Sequence, residues 1–118
     1  LTGVLASLAL PSFRDQLARS RRVEATTMLQ QLQSAQELFR QRHGHYASQL
    51  SQLPGGPWPA QSPSGRYQYD LQTQGPDAYA LVARALGDQA RDRECDTVTL
   101  RVKGTISHHL PGGRCWHS

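Results

Sequence analysis

The spacing of apolar residues changes several times along this chain, and each change marks a different element. Leu1 to Leu10 reads LTGVLASLAL and is apolar almost all round. From Ser12 to about Arg42, Ala25, Met28, Leu32, Ala35 and Phe39 recur at spacings of 3, 4, 3 and 4. That rhythm predicts one face of an amphipathic helix, with Gln30, Gln33, Ser34, Glu37 and Arg40 opposite. Gly44 follows the last periodic residue, where a helix takes its C-terminal cap. A helix of ~30 residues extends ~45 Å, more than the width of a domain this size, so part of it must project. Pro11 lies between the two runs. It either opens a separate helix at its first turn or sits inside one long helix that it locally weakens, and the second reading is preferred.

Residues 43–65 are rich in Gly, Pro, Ser and Gln, with GGPWP and SPSG as turn signals, and read as a long surface loop pinned by Tyr46, Leu50, Leu53 and Trp58. Period-two runs follow at Tyr67, Tyr69 and Leu71, then from Ala78 to Leu86, then at Val98, Leu100 and Val102. Turns are expected at Gly75-Pro76-Asp77, Gly87-Asp88 and Lys103-Gly104, the last leading into a short fourth strand at Thr105 and Ile106. One helix followed by a run of strands implies an α+β fold, the helix lying on one face of a small antiparallel sheet of about four strands.

The 118 residues suit a single modest core, and 37% apolar with 19% charged residues exclude a disordered or multi-spanning chain. The net charge of +4 is uneven: +3 over residues 1–42, −2 over 43–96 and +3 over 97–118, where Arg101, Lys103 and Arg114 have no acid among them. Two cysteines, Cys95 and Cys115, enclose 19 residues, a count and spacing that suit a disulfide in an oxidising compartment, the alternative being two free thiols. The opening run spans only ~15 Å of helix, about half a bilayer core, and reads as the second half of a membrane helix.

The segment LTGVLASLALPSFRDQLARSRRVEA resembles the region of type IV pilins just after their processed N-terminus. The likeness rests on Gly3, the small and apolar residues from Ala6 to Leu10, Pro11-Ser12-Phe13, Ala18-Arg19-Ser20-Arg21-Arg22 and Glu24-Ala25. HGHYASQLSQL is similar to the pattern that ends the pilin helix. Cys95, an alternating strand, Lys103-Gly104-Thr105 and then Cys115-Trp116 are similar to the C-terminal disulfide loop of minor pilins of the PilE kind, and the chain is similar also to DNA-uptake pilins of the ComP kind.

The resemblance implies a type IV pilin-like fold with two parts. Residues 1–42 would form the N-terminal helix, with 1–11 as its membrane or filament-core half and 12–42 as its amphipathic half. Residues 43–118 would form the head, with a loop at 43–65, a sheet at 66–107 and a disulfide-bounded region at 95–115. The expected function is a structural minor pilin supporting pilus assembly, adhesion, twitching motility or DNA uptake. Its partners would be major and minor pilin subunits and the inner-membrane assembly machinery. The subunit would be anchored in the bacterial inner membrane before entering an extracellular pilus, its processing and methylation site lying upstream of Leu1.

Leu1, Gly3, Val4, Leu5, Leu8, Leu10 and Pro11 are the candidate assembly residues. Burying five large aliphatic side chains at ~1.5–3 kcal/mol each offers on the order of 10 kcal/mol, and Gly3, Ala6 and Ala9 let helices approach closely. Arg19, Arg21 and Arg22 read as a solvated basic collar with Asp15 and Glu24 as helical neighbours. The basic C-terminal segment raises a rival function, a DNA-binding receptor for natural transformation, with Arg101, Lys103, Arg114 and His108 as contacts. A type II secretion pseudopilin is a second alternative. No metal is expected, since His43-x-His45 and His108-His109 are distant in sequence and lack carboxylates at ligand spacing. Cys115 with His117 lacks an orienting third group, so neither an enzyme, a cofactor nor a small-molecule substrate is expected.

Overall fold

The computed structural model describes residues 2–116, with side chains from Phe13 onward. One helix, α1 (Thr2–His43), runs through Pro11 without a break. Its 42 residues at 1.5 Å each make ~63 Å, and they set the longest dimension of the molecule, 64 Å. The helix ends where Gly44 takes φ +82° and donates its N–H to Arg40 O at 2.7 Å. A left-handed residue there closes an orphan carbonyl without a Cβ clash.

Four strands follow: β1 (Tyr67–Thr73), β2 (Ala78–Ala85), β3 (Thr97–Lys103) and β4 (Ile106–Leu110). They form one antiparallel sheet in the order β1-β2-β3-β4. Leu71, Leu81 and Leu100 share one cross-strand row, and Tyr69, Ala83 and Val98 the next. These side chains, with Tyr67 and Tyr79, meet Ala25, Leu29, Leu32, Ala35 and Phe39 of α1 in one core. Each fully buried leucine in it contributes about 1.5–3 kcal/mol. The periodicity located this helix face correctly except that Leu29, fully buried, displaces Met28 to the rim.

Three polar residues of α1, Arg22, Thr26 and Gln36, are buried with the apolar ones, and Arg22 and Gln36 clamp the head to the helix. Gln36 donates its amide to Ala47 O at 2.9 Å and accepts Ala47 N–H at 2.8 Å, so one side chain satisfies both main-chain groups of a buried residue. Arg22 leaves the expected solvated collar. Its Nε meets Asp92 at 2.6 Å with both side chains under one tenth exposed, and its Nη1 donates to Arg114 O at 3.2 Å. Beside it Gln89, also buried, donates to Ala18 O at 3.1 Å and to the Tyr67 hydroxyl at 3.0 Å. Cys95 and Cys115 are joined in a disulfide. Closing a loop of ~20 residues contributes roughly 3 kcal/mol in the chain-entropy model.

β4 is longer than the sequence suggests and takes in both His108 and His109. All five of its residues are exposed, so no burial alternation marks it in the sequence. Pairing with β3 alone defines it. Leu1 lies outside the described residues, as do the side chains of Gly3, Val4, Leu5, Leu8, Leu10 and Pro11. Among the described residues no helix is long and apolar enough to cross a membrane.

Candidate nucleic-acid interface

The site begins with the alternation of β3. Val98, Leu100 and Val102 are buried towards α1, so Arg101 and Lys103 are turned to the face away from the helix, and both are exposed. β4 adds its own alternate residues to that face: His108 stands opposite Arg101, Ile106 opposite Lys103 and Leu110 opposite Thr99. Directly opposed side chains have Cβ atoms about 4.5–5.5 Å apart, so Arg101, Lys103 and His108 form one cluster. On the other flank Ala80 opposes Arg101 and Ala78 opposes Lys103, small buried residues that leave the cationic heads standing clear. Neither β3 nor β4 contains an acid. Asp70, on β1 of the same sheet, is paired with Arg84.

The turn that carries Lys103 is held from behind. Gly104 takes φ +62° at the first position of a two-residue loop, the conformation a type II′ hairpin needs there. Its N–H donates to Asp77 O at 2.8 Å. Its carbonyl accepts from Arg40 Nη1 at 3.3 Å and lies 3.1 Å from the Tyr46 hydroxyl, which is also 2.9 Å from Glu37 Oε1. The Arg40 guanidinium stands 5.0 Å from the Tyr46 ring centroid, a cation–π distance. Burial, above all, pushes the Tyr46 phenol up, while Arg40 opposes that shift. The end of α1, the β1–β2 turn and the β3–β4 turn are thus tied together beneath the basic row.

The structure does not bring Arg114 into that row. Its guanidinium meets Glu94 at 2.5 Å, and Glu94 lies beyond Thr97, on the opposite side from Arg101. Thr97 to Arg101 alone is about 13 Å of strand. His109 faces the other way and stacks on Trp116, ring centroids 4.1 Å apart and planes at 17°. Sequence reasoning missed Ile106 and Leu110 as members of the outer row, although stepping by two from Ile106 finds them once β4 is extended. Elsewhere, a cleft of about 650 Å³ is lined by Leu50, Leu53, Gly55, Gly56, Pro57 and Trp58 and has no ionisable lining residue. Among the described residues no group of three His, Cys, Asp or Glu side chains is placed to hold a metal.

A long projecting helix seated on a four-stranded antiparallel sheet, with a disulfide near the C-terminus, is the type IV pilin-like fold. The family model described as type IV minor pilin ComP, DNA uptake sequence receptor, matches residues 11–99, and the chain belongs to this family of minor pilins. The match stops short of Arg101, Lys103, His108 and Arg114. No individual curated protein matches the chain.

Proposed function

We propose that this minor pilin binds DNA during uptake, meeting backbone phosphates with Arg101, Lys103 and His108 while α1 joins it to other pilus subunits. The observation that carries this reading is the alignment of those three side chains on one sheet face, within two strands that contain no acid. A phosphate-rich rod meeting such a row gains by releasing condensed counterions, a term independent of base sequence. The family's printed description as a DNA uptake sequence receptor supports the same reading. Family membership also points to a structural role outside catalysis and to a place in an extracellular pilus.

Assembly follows from the shape of α1. Residues 13–16 are exposed on the helix before it reaches the head, and Phe13 there is 57% exposed. Leu1, Val4, Leu5, Leu8 and Leu10 would bury against neighbouring helices, with Gly3 and Pro11 loosening the backbone between them. Before assembly the same segment would belong to an inner-membrane anchor.

Fluorescence anisotropy with labelled duplex DNA tests the DNA reading. The two full charges, Arg101 and Lys103, give a slope of log affinity against log salt of about −1.8, a loss of roughly tenfold between 50 and 200 mM. Arg101→Ala or Lys103→Ala should reduce that slope by about one each. Arg114→Ala, already neutralised by Glu94, should change it less. A slope unmoved by the Arg101 and Lys103 variants would place the contact elsewhere, leaving assembly alone as the function.

A further inference from the structure

The two edges of the sheet differ. β1 is covered by its own chain: Tyr69 N–H donates to Ala60 O at 2.7 Å, Ser62 N–H donates to Tyr67 O at 2.8 Å, and Gln61 pairs with Gln68. β4 is bare. Among the described residues the bond to its main chain from outside β3 is that of Trp116 Nε1 to Leu110 O, at 3.1 Å, which caps the far end of the strand. An uncovered edge is a template for another strand, since its outward N–H and C=O groups have only water as partners. The two-residue turn settles which groups those are. Residues flanking such a turn form a hydrogen-bonded pair, here Lys103 with Ile106. Alternation then leaves the N–H and C=O of Ser107 and His109 directed to the open side.

Charge decides what fits there. Two copies paired through β4 would join two acid-free strands, with the Arg101 and Lys103 rows about 14 Å apart, so the pairing would offer those cations no opposite charge. A strand carrying carboxylates would meet the row favourably. We propose that β4 accepts an extended acidic polypeptide segment as a fifth strand of the sheet. On the outer face the new strand would lie beside Ile106, His108 and Leu110 in turn. Ile106 and Leu110 are 61% and 38% exposed, so the face recognises an apolar residue, then an acidic one, then an apolar one, at every second position. The acidic residue falls next to His108 and within reach of Arg101. This inference stands apart from the DNA reading, because strand addition is measured with no DNA present.

The test titrates the 15N-labelled 118-residue chain with a blocked peptide of about seven residues centred on Val-Thr-Glu-Thr-Val, a usual strand length. Amide exchange at Ser107 and His109 should slow by about tenfold or more at saturation, the equivalent of 1.4 kcal/mol. Arg101→Glu should weaken binding by about tenfold, and Ser107→Pro, which removes an outward donor at an edge where proline is tolerated, should abolish it. A peptide N-methylated at alternate residues carries the same charge without main-chain donors and should not bind. Equal binding of the N-methylated peptide, equal binding of a Lys-for-Glu peptide, or unchanged exchange at Ser107 and His109 would each overturn the proposal.

Discussion

The face of the sheet turned towards α1 and the face turned away are built from the same strands, residue by residue in alternation, yet they are governed by different physics. Towards the helix stand Tyr67, Tyr69, Tyr79, Leu81 and Leu100, all essentially without solvent contact. Away from it stand Arg101, Lys103, Ile106 and His108, all exposed. Packing dominates the first face, where a side chain touches many others and any change in volume is felt. Surface electrostatics dominate the second, where substitution is cheap for the fold and expensive only for a charged ligand. The lesson is that this small head can carry its recognition row at almost no cost to its stability, because a strand's period of two separates the two duties.

The largest expected effect breaks the helix-facing side at its polar clamp. Arg22→Ala leaves Asp92 buried without its counter-charge and the Arg114 carbonyl without one donor, and removal of one member of a buried pair costs about 3–5 kcal/mol. Urea denaturation at neutral pH measures it. A loss under ~1 kcal/mol would show that the pair behaves as a surface ion pair.

An intermediate effect comes from the tyrosines beneath the helix. Burial pushes the phenols of Tyr67 and Tyr69 up to about 12 and raises that of Tyr79 further. The unfolded chain therefore loses these protons first as pH rises. For Tyr67 and Tyr69 the stabilisation is complete below pH ~10, the unfolded value, and is lost by about pH 12, at roughly 1.4 kcal/mol per pH unit for each within that window, while that of Tyr79 is lost over a range reaching higher pH. Tyr69→Phe should flatten the alkaline limb of a stability–pH curve. Among the described residues the buried Tyr69 hydroxyl has no hydrogen-bond partner, so the same variant should be neutral or slightly stabilising at pH 7. An unchanged alkaline limb would mean that Tyr69 ionises in the folded state as readily as in the unfolded one.

The smallest effect on stability sharpens the contrast. Arg101→Ala with Lys103→Ala should shift the denaturation free energy by no more than about 0.5 kcal/mol each, while changing the salt slope of DNA binding as set out above. A large loss of stability in this variant would mean that the outer face is structural after all, and the separation of duties would fail.

Much of this architecture was legible in local pattern. The 3.6-residue rhythm marked the buried face of α1 through Ala25, Leu32, Ala35 and Phe39, Gly44 marked its end, and period two marked β1, β2 and β3 together with the shared face of Arg101 and Lys103. Such patterns record which side of an element meets the core, and that is decided within a few residues. The clamps were not legible. Arg22 finds Asp92 at a separation of 70 positions and Gln36 finds Ala47 across a turn, and nothing next to either residue announces the partner.

By itself, the amino-acid sequence determined the class of fold, the projecting helix, the two cysteines and the acid-free C-terminal segment, because each depends on composition or on spacing along a single element. Only tertiary structure decided that Arg22 is buried, that Arg114 pairs with Glu94, and that β4 extends through both histidines. It also decided that, among the described residues, one sheet edge is covered and the other bare. Each of these depends on two distant stretches meeting, and a meeting is fixed by the geometry of the whole chain.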